Sequence, residues 1–488
     1  MKTYKILSLL GLVLVVGLSS CEDYLNKQPR LSQTNALSLS TFDGINKAMI
    51  GAYSPLYDYT WYGRNFEVTA DMKGGNAKAS PKNSGRFRTE YLWTNTPTAT
   101  SGVWGTAYTL IARVNNIINA CDGFSEIGVT QEEIDNVVGE AKFLRALAYH
   151  DLVRLFARSY AYDSTSLGVP VVLVSENGLP SRKMVKEVYA QILLDLKDAE
   201  TALSATNTHG GSDAKAWAKK LSAQALTARV YLYMENWQKA ADYATTVINQ
   251  QSSSFKLFNP EDYTIYLSSP TTIGSTTGVW GALTGGSEVI FEIYGSEGNS
   301  SHGNWDVISY ILSPNGYGDV GASNDLRNLY TDTADVRGKL FTTSIDYPND
   351  YWSLKYPGKN GNLREDNIPV LRLAEMYLIR AEALAEGATI AGVTALSDIN
   401  TLRAARNASV KTTVTLSDIY QERRRELCFE GHELFDLART KRPLTRVDYA
   451  GTNNQDIAVD SYLWAMPIPQ DEINANINCE QNPNYANN

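Results

Sequence analysis

The sequence has little of what hydrolases and metalloenzymes use for chemistry. Its 488 residues include four histidines and four cysteines, with no CxxC pair and no GxSxG nucleophile elbow. The segment that begins at His432 starts like HExxH, but Asp436 stands where the second metal-ligating histidine is needed. A zinc site requires three or four ligands placed close together. We therefore expect no bound metal, no cofactor and no enzymatic activity.

A nucleotide site is also poorly supported. The run GYGDVG, residues 316–321, matches the GxGxxG pattern. That pattern binds a dinucleotide only where it follows a strand and opens a helix, because the first helical amides then meet the pyrophosphate. Here Ser313, Pro314 and Asn315 precede it, which is typical of a turn. We interpret the run as a turn.

Positive charge is scarce and dispersed. The chain has 44 lysines and arginines against 53 acidic residues, a net charge of −9. An acidic balance without a dense basic run disfavours nucleic acid and anionic lipid as partners. Apart from Cys21, the chain has three cysteines, Cys121, Cys428 and Cys479, and three cysteines cannot all pair with one another. We expect buried thiols, with one disulfide left open.

The amino terminus carries an export signal. Lys2 and Lys5 precede a short apolar run that ends at Leu18, and two serines then lead into Cys21. This order predicts a secretory signal whose cysteine is a bacterial lipoprotein box. The run is shorter than the roughly 20 residues that a spanning helix needs. Residues 1–20 are thus predicted to be removed and Cys21 to be lipidated, an ordinary signal peptide with a chance cysteine being the alternative.

Helical periodicity dominates the rest of the chain. Apolar residues keep helical spacing throughout 131–156, and Thr130 with two following glutamates predicts an N-cap. Small residues alternate with aromatic ones in the manner of tetratricopeptide helix pairs. We predict a predominantly α fold with about four such pairs, at 104–120 with 131–157, 182–203 with 214–234, 225–248, and 372–406.

Two polar regions interrupt the helical pattern, at about 60–102 and 255–365. Gly, Ser, Thr, Asn and aromatic residues dominate the second, which also contains β-like runs at 288–294 and 307–312. Long loops inside a compact helical body are usually functional, so both regions are predicted to carry a ligand site. Aromatic residues in them are either a binding face or packing beneath long loops.

Glu426 and Glu430 lie one helical turn apart. Such a pair resembles the two carboxylates of a glycosidase, which must face each other across a cleft. Arg423, Arg424 and Arg425 stand beside them, however, and predict ion pairs that lock the helix.

Four motifs follow one another along most of the chain. They are EAKFLRALAY at 140–149 with LVRLF at 152–156 and GVPV at 168–171; IPVLRLAEMYLIRAEA at 368–383 with NTLR at 400–403; ERRRELCFEGHELFDLAR at 422–439; and PIPQDEI at 467–473 with QNPNY at 481–485. Taken in this order, they resemble the motifs of the SusD/RagB family. One departure is Glu433, where the family commonly has arginine, and we expect it to pair locally with the arginines of 423–425.

The resemblance implies a non-catalytic lipoprotein on the outer face of the outer membrane. Members of this family act as the lid of a SusC-like, TonB-dependent transporter and deliver an oligosaccharide, or in some branches a peptide, into it. Their fold is four tetratricopeptide-like helix pairs with an irregular subdomain of loops and short strands. By this likeness residues 21–40 are a lipidated tether and 41–488 the SusD-like domain. A lipid-anchored glycoside hydrolase is the remaining alternative.

The resemblance also places ligand contacts in the variable loops and leaves the charged motif residues to build buried ion pairs. Sugar rings bind through flat aromatic faces with polar side chains nearby. The candidates of this kind are Trp61, Asn76, Trp93, Trp280, Trp305, Asp306 and Tyr317. The absence of Lys and Arg between Lys256 and Arg327 favours a neutral oligosaccharide, whereas the basic residues between Arg64 and Arg88 leave an acidic sugar open.

Overall fold

The computed structural model describes residues 35–176, 178–206, 209, 214–263, 287–299, 305–358 and 362–485. The predictions for the signal peptide, for Cys21 and for Trp280 lie outside these residues. No helix in the described part of the chain is both long and apolar enough to cross a membrane.

Helices make up most of the regular structure, which confirms the predicted fold class. The α-helices are α1 (Asn35–Ser38), α2 (Phe42–Tyr53), α3 (Asn65–Gly74), α4 (Arg88–Leu92), α5 (Val103–Cys121), α6 (Gln131–Phe156), α7 (Tyr160–Asp163), α8 (Val185–Ala202), α9 (Lys220–Tyr233), α10 (Trp237–Ile248), α11 (Ile308–Leu312), α12 (Asn324–Arg327), α13 (Leu373–Ala385), α14 (Ala395–Ala405), α15 (Leu416–Leu427), α16 (Glu433–Arg439) and α17 (Gln470–Ala475). Single 3₁₀ turns occur at Ser54–Tyr57, Glu297–Asn299, Val336–Lys339 and Tyr462–Trp464.

The described strands are short and pair two by two. They are β1 (Ala77–Ala79), β2 (Leu167–Pro170), β3 (Arg182–Met184), β4 (Val289–Ile293), β5 (Val320–Ala322), β6 (Phe341–Thr342), β7 (Trp352–Ser353), β8 (Ile368–Arg372), β9 (Leu444–Thr445) and β10 (Asp456–Ile457). The antiparallel pairs are β1–β5, β2–β3, β4–β8, β6–β7 and β9–β10. The sequence contains two β-like runs. The first, 288–294, forms β4, but the prediction of a strand at 307–312 is wrong, because this run forms the short helix α11.

The long helix α6 begins where its sequence predicts. The Thr130 hydroxyl accepts a hydrogen bond from the Glu133 amide, and the Glu133 carboxylate accepts one from the Thr130 amide. This reciprocal capping box satisfies two amides that the first helical turn would otherwise leave unpaired.

The long helices form one continuous array. In it α5 packs on α6, α6 on α8, α8 on α9, α9 on α10, α10 on α13, and α13 on α14. Small buried residues such as Ala225, Ala228, Ala240 and Ala244 allow these close approaches. The sequence assigned α9 to two different helix pairs, and the structure shows why: α9 lies between α8 and α10 and packs against both.

The two polar regions meet at one place on this array. Strand β1 of the first region pairs with β5 of the second, with Ala77 opposite Ala322 and Ala79 opposite Val320. Beyond the strands, the Ser84 hydroxyl donates to the buried carboxylate of Asp319 at 2.8 Å. Residues that are far apart in the sequence therefore share one surface.

Buried charges hold the carboxyl-terminal half together. We call the following set the central ion network: Glu288, Asp335, Arg337, Lys355, Arg372, Arg403, Arg406, Glu422, Glu426 and Glu430. All are buried. Glu426 lies at its centre, with oxygen–nitrogen distances of 2.9 Å to Arg337, 2.6 Å to Arg372 and 2.8 Å to Arg406.

The predicted ion pairing of Glu426 and Glu430 is thus confirmed, but their predicted partners are wrong. Their cations come from other elements, because the helix turns the neighbouring arginines toward different acids. Arg423 pairs with Asp436 at 2.7 Å and Arg425 with Glu422 at 3.1 Å.

The remaining cysteines also behave as predicted. Cys121, Cys428 and Cys479 are buried free thiols, so no disulfide forms among these three residues.

Removing the central carboxylate of the network should destabilise the fold strongly. In Glu426→Gln, three buried guanidinium groups lose their shared counter-charge, and breaking a buried pair in this way costs about 3–5 kcal/mol. Urea unfolding of the chain without its first 21 residues measures the difference. Lys47→Met is the matched control, since its pair with Asp43 is about three-quarters exposed and should cost less than about 1 kcal/mol. A loss for Glu426→Gln no larger than the control's would contradict the role of the network.

The buried carboxylate of Glu433 should make the free energy of unfolding depend on pH. This carboxylate lies 3.8 Å from the guanidinium of Arg424, and desolvation raises its pKa from 4.5 to about 7. The unfolded chain loses this proton near pH 4.5, so stability falls as the pH rises from 4.5 to 7. Glu433→Gln should therefore be more stable than the parent above pH 7, by up to about 3 kcal/mol.

Thermal and urea unfolding across pH 4–8 check this expectation. The advantage of Glu433→Gln should disappear below pH 4.5, where both side chains are neutral. A variant that is less stable than the parent at pH 8 would contradict it.

Candidate functional site

Three aromatic side chains form a partly exposed cluster where the two polar regions meet. Trp305, Tyr310 and Tyr317 pack edge to face, with ring centroids 5.0 Å apart for the first pair and 4.9 Å for the second. Trp305 is 44% exposed, and the two tyrosines are half-buried. We call these three residues the aromatic face.

A tight turn sets the position of Tyr317. The Gly316 amide donates to the Ser313 carbonyl, and Gly318 has φ +62°, in the left-handed region that glycine adopts without strain. The turn leads into strand β5. The glycine pattern of 316–321 therefore builds a turn before a strand, as interpreted from the sequence, and does not open a helix.

The turn is fixed to its surroundings by its carbonyl groups. The Gly318 carbonyl accepts from the Trp352 indole at 2.9 Å and from the Ser80 hydroxyl at 2.5 Å. The Lys82 ammonium donates to the Pro314 carbonyl at 2.5 Å. The first polar region thus holds the base of the aromatic face.

Two guanidinium groups lie on the outer rings of the aromatic face. Arg86 lies 4.0 Å from the Tyr317 ring centroid, and Arg364 lies 3.9 Å from that of Trp305. Arg86 also pairs with Asp319 at 3.2 Å, and Arg364 with Glu297 at 3.0 Å. Cation–π contact and ion pairing together orient both guanidinium planes.

Asp306 lies beside Trp305 but is engaged within the protein. Its carboxylate pairs with the guanidinium of Arg64, which also lies 4.8 Å from the Tyr59 ring. Burial lowers the pKa of Arg64. The Asp306 side chain keeps about a third of its surface exposed, so it can still accept a hydrogen bond at the edge of the face.

Three of the candidate ligand residues are instead part of the core. Trp61 is fully buried and its indole donates to Asp151 at 2.9 Å, while Trp93 is 1% exposed and its indole donates to the Lys73 carbonyl. Asn76 is also buried and its amide donates to Asp71. These residues have no open face for a ligand, which corrects their assignment as contacts. Packing beneath long loops, the alternative that the sequence left open, explains them.

The structure adds residues that the sequence did not single out. Tyr310 bridges the two outer rings, but it lies in an apolar run that was interpreted as a strand. Arg364 is far from Trp305 in sequence, and no motif connects the two. Trp305, Asp306 and Tyr317 are the candidates that the structure brings together.

The chemistry of the exposed side chains indicates what this surface can bind. Within the described ranges, no three His, Cys, Asp or Glu side chains form a cluster that could hold a metal ion. Flat rings beside guanidinium donors and an acidic acceptor suit a polar ligand with apolar faces.

Comparison with known proteins gives two family-model matches. One described as the SusD family matches residues 347–485, and one described as "Starch-binding associating with outer membrane" matches 23–232. The aromatic face lies between the two matched ranges.

Curated relatives and a solved structure agree with these matches. The chain is similar to SusD-like protein P2 of Formosa agariphila, at 26% identity over 99% of this chain and 100% of that one. It is 34% identical to the starch-binding protein SusD of Bacteroides thetaiotaomicron over 34% of this chain and 31% of the relative. A SusD superfamily protein from the same species superposes with a TM-score of 0.79 at 28% identity, covering 91% of this chain and 100% of that one.

The helical array, the four motifs and these matches lead to one conclusion: the chain belongs to the SusD/RagB family.

Proposed function

We propose that this protein captures an oligosaccharide at the cell surface and passes it, without cleaving it, to a TonB-dependent transporter of the outer membrane. The observation that carries the proposal is the aromatic face. An exposed tryptophan beside two half-buried tyrosines offers the apolar surface that the C–H face of a sugar ring needs. Arg86 and Asp306 stand beside it to bind hydroxyl groups.

The relatives support a glycan as the ligand. One matched family model and one curated relative carry the words "starch-binding" in their descriptions. Binding sites for sugars combine a few polar groups with aromatic walls, which is the composition of the aromatic face.

The location rests on the amino-terminal sequence. Lipidation of Cys21 would fix the protein to the outer membrane, and the polar segment from Glu22 to about Ser40 would serve as a tether beside a SusC-like partner. The family model that begins at residue 23 is described as associating with the outer membrane, which fits this arrangement.

Calorimetry against a panel of oligosaccharides tests the binding function. Trp305→Ala should weaken the affinity for the glycan that binds by about tenfold or more, or about 1.4 kcal/mol, because it removes the most exposed ring. Tyr462→Ala is the matched control, since Tyr462 is a similarly exposed aromatic residue outside the aromatic face. Binding of peptides with no heat from any glycan would overturn the proposal.

The anchoring role has its own test. Cys21→Ala should leave glycan binding unchanged in vitro, because Cys21 precedes the folded domain, and should impair uptake of the same glycan by cells. Uptake at the parental rate, with the variant protein present at the parental level, would contradict anchoring.

A further inference from the structure

Each guanidinium group on the aromatic face donates hydrogen bonds to described residues through only one of its three nitrogen atoms. Arg86 donates through Nη1 to Ser84 and Asp319, and Arg364 donates through Nη1 to Glu297. Within the part of the chain that the structure describes, Nε and Nη2 of both arginines have no hydrogen-bond partner. Both side chains are about one-third exposed, so these donors face solvent.

Elsewhere in this protein, arginines bind carboxylates through this same pair of atoms, Nε and Nη2. Arg145 holds Asp195 through Nε and Nη2 at 2.8 and 2.7 Å. Arg380 holds Asp398 through the same two atoms at 2.8 and 2.7 Å. Two parallel N–H groups match the two oxygens of a carboxylate or sulfate, and such bidentate pairs are among the strongest hydrogen bonds in proteins.

Ring stacking prepares these edges for a ligand. A free arginine side chain loses rotational freedom when it binds an anion, but Arg86 and Arg364 are already held over the rings of Tyr317 and Trp305 and paired with Asp319 and Glu297. Less entropy remains to be lost on binding, so more of the interaction energy appears as affinity.

Cationic and acidic side chains balance around the aromatic face, although the whole chain carries a net charge of −9. Arg64, Arg86 and Arg364 pair with Asp306, Asp319 and Glu297, and the Glu365 carboxylate accepts from the Glu297 amide. The ammonium of Lys82 donates to the backbone carbonyls of Pro314 and Gly316. These side chains together carry no excess of acids that would repel an anionic ligand.

We propose that the glycan bound at the aromatic face is acidic, with carboxylate or sulfate groups docking on the Nε and Nη2 edges of Arg86 and Arg364. This inference rests on the proposed function and specifies the substrate class. It also reconciles two opposed indications in the sequence. The second polar region has no Lys or Arg between Lys256 and Arg327, which favours a neutral ligand, but the β1–β5 pairing brings Lys82 and Arg86 of the first region beside it.

Matched glycan pairs that differ only in charge give the test. Oligogalacturonate is compared with its carboxyl-reduced form, and a sulfated carrageenan oligosaccharide with its desulfated form, by calorimetry at 50 and 200 mM salt. We expect one acidic member to bind at least tenfold more tightly than its neutral counterpart, with an affinity that falls as salt rises. The carboxylated and sulfated arms identify which anion is preferred.

Variants separate the charge from the aromatic surface. Arg86→Gln and Arg364→Gln should each weaken binding of the acidic glycan about tenfold and weaken binding of its neutral counterpart much less. Arg86→Lys keeps the charge but not the paired donors, so it should recover only part of the loss. The control is Arg442→Gln, because Arg442 lies 4.3 Å from the Tyr420 ring, outside the aromatic face.

The outcomes distinguish this inference from the proposed function. Equal binding of the charged and neutral members, unaffected by Arg86→Gln and Arg364→Gln, would overturn the acidic ligand and keep the glycan-binding function. Binding of none of these glycans or of the wider oligosaccharide panel would overturn both.

Discussion

The burial of ten ionisable side chains in the central ion network constrains the whole carboxyl-terminal half. Charges removed from water are tolerated only when each has close, well-oriented partners. Glu426 on α15 meets Arg337 from a 3₁₀ turn, Arg372 from β8 and Arg406 just after α14. No single element can bury its charged group alone, so these elements must come together as one unit. The charged motif residues in this network therefore stabilise the fold.

This network reaches the second polar region through Glu288, which precedes β4, and through Arg337. From there the base of the aromatic face is built from buried polar contacts: Trp352 and Ser80 both donate to the Gly318 carbonyl. Trp61 and Trp93 belong to the core beneath, and Trp305 stands open. The same residue type is therefore either core packing or part of the exposed surface, according to its depth.

Much of the scaffold could be predicted from the sequence, because a helix requires a regular spacing of apolar residues and capping residues close to its ends. The apolar spacing of 131–156 and the Thr130 cap predicted α6 correctly, and the motifs identified the family. The polar regions were located but their roles were not resolved residue by residue. Loops have no periodicity that separates a buried Trp93 from an exposed Trp305. The contacts of Arg364 with Trp305 and of Glu426 with Arg372 join distant positions and appear only in three dimensions.

The aromatic face lies between β4 and Asp335. Among the described residues between these two points, none belongs to the central ion network. Substitutions at Trp305, Tyr310 or Tyr317 consequently leave the charge pairs that stabilise the domain untouched. Variation at these positions can therefore change the exposed surface while the architecture stays constant. One scaffold can in this way present many different surfaces.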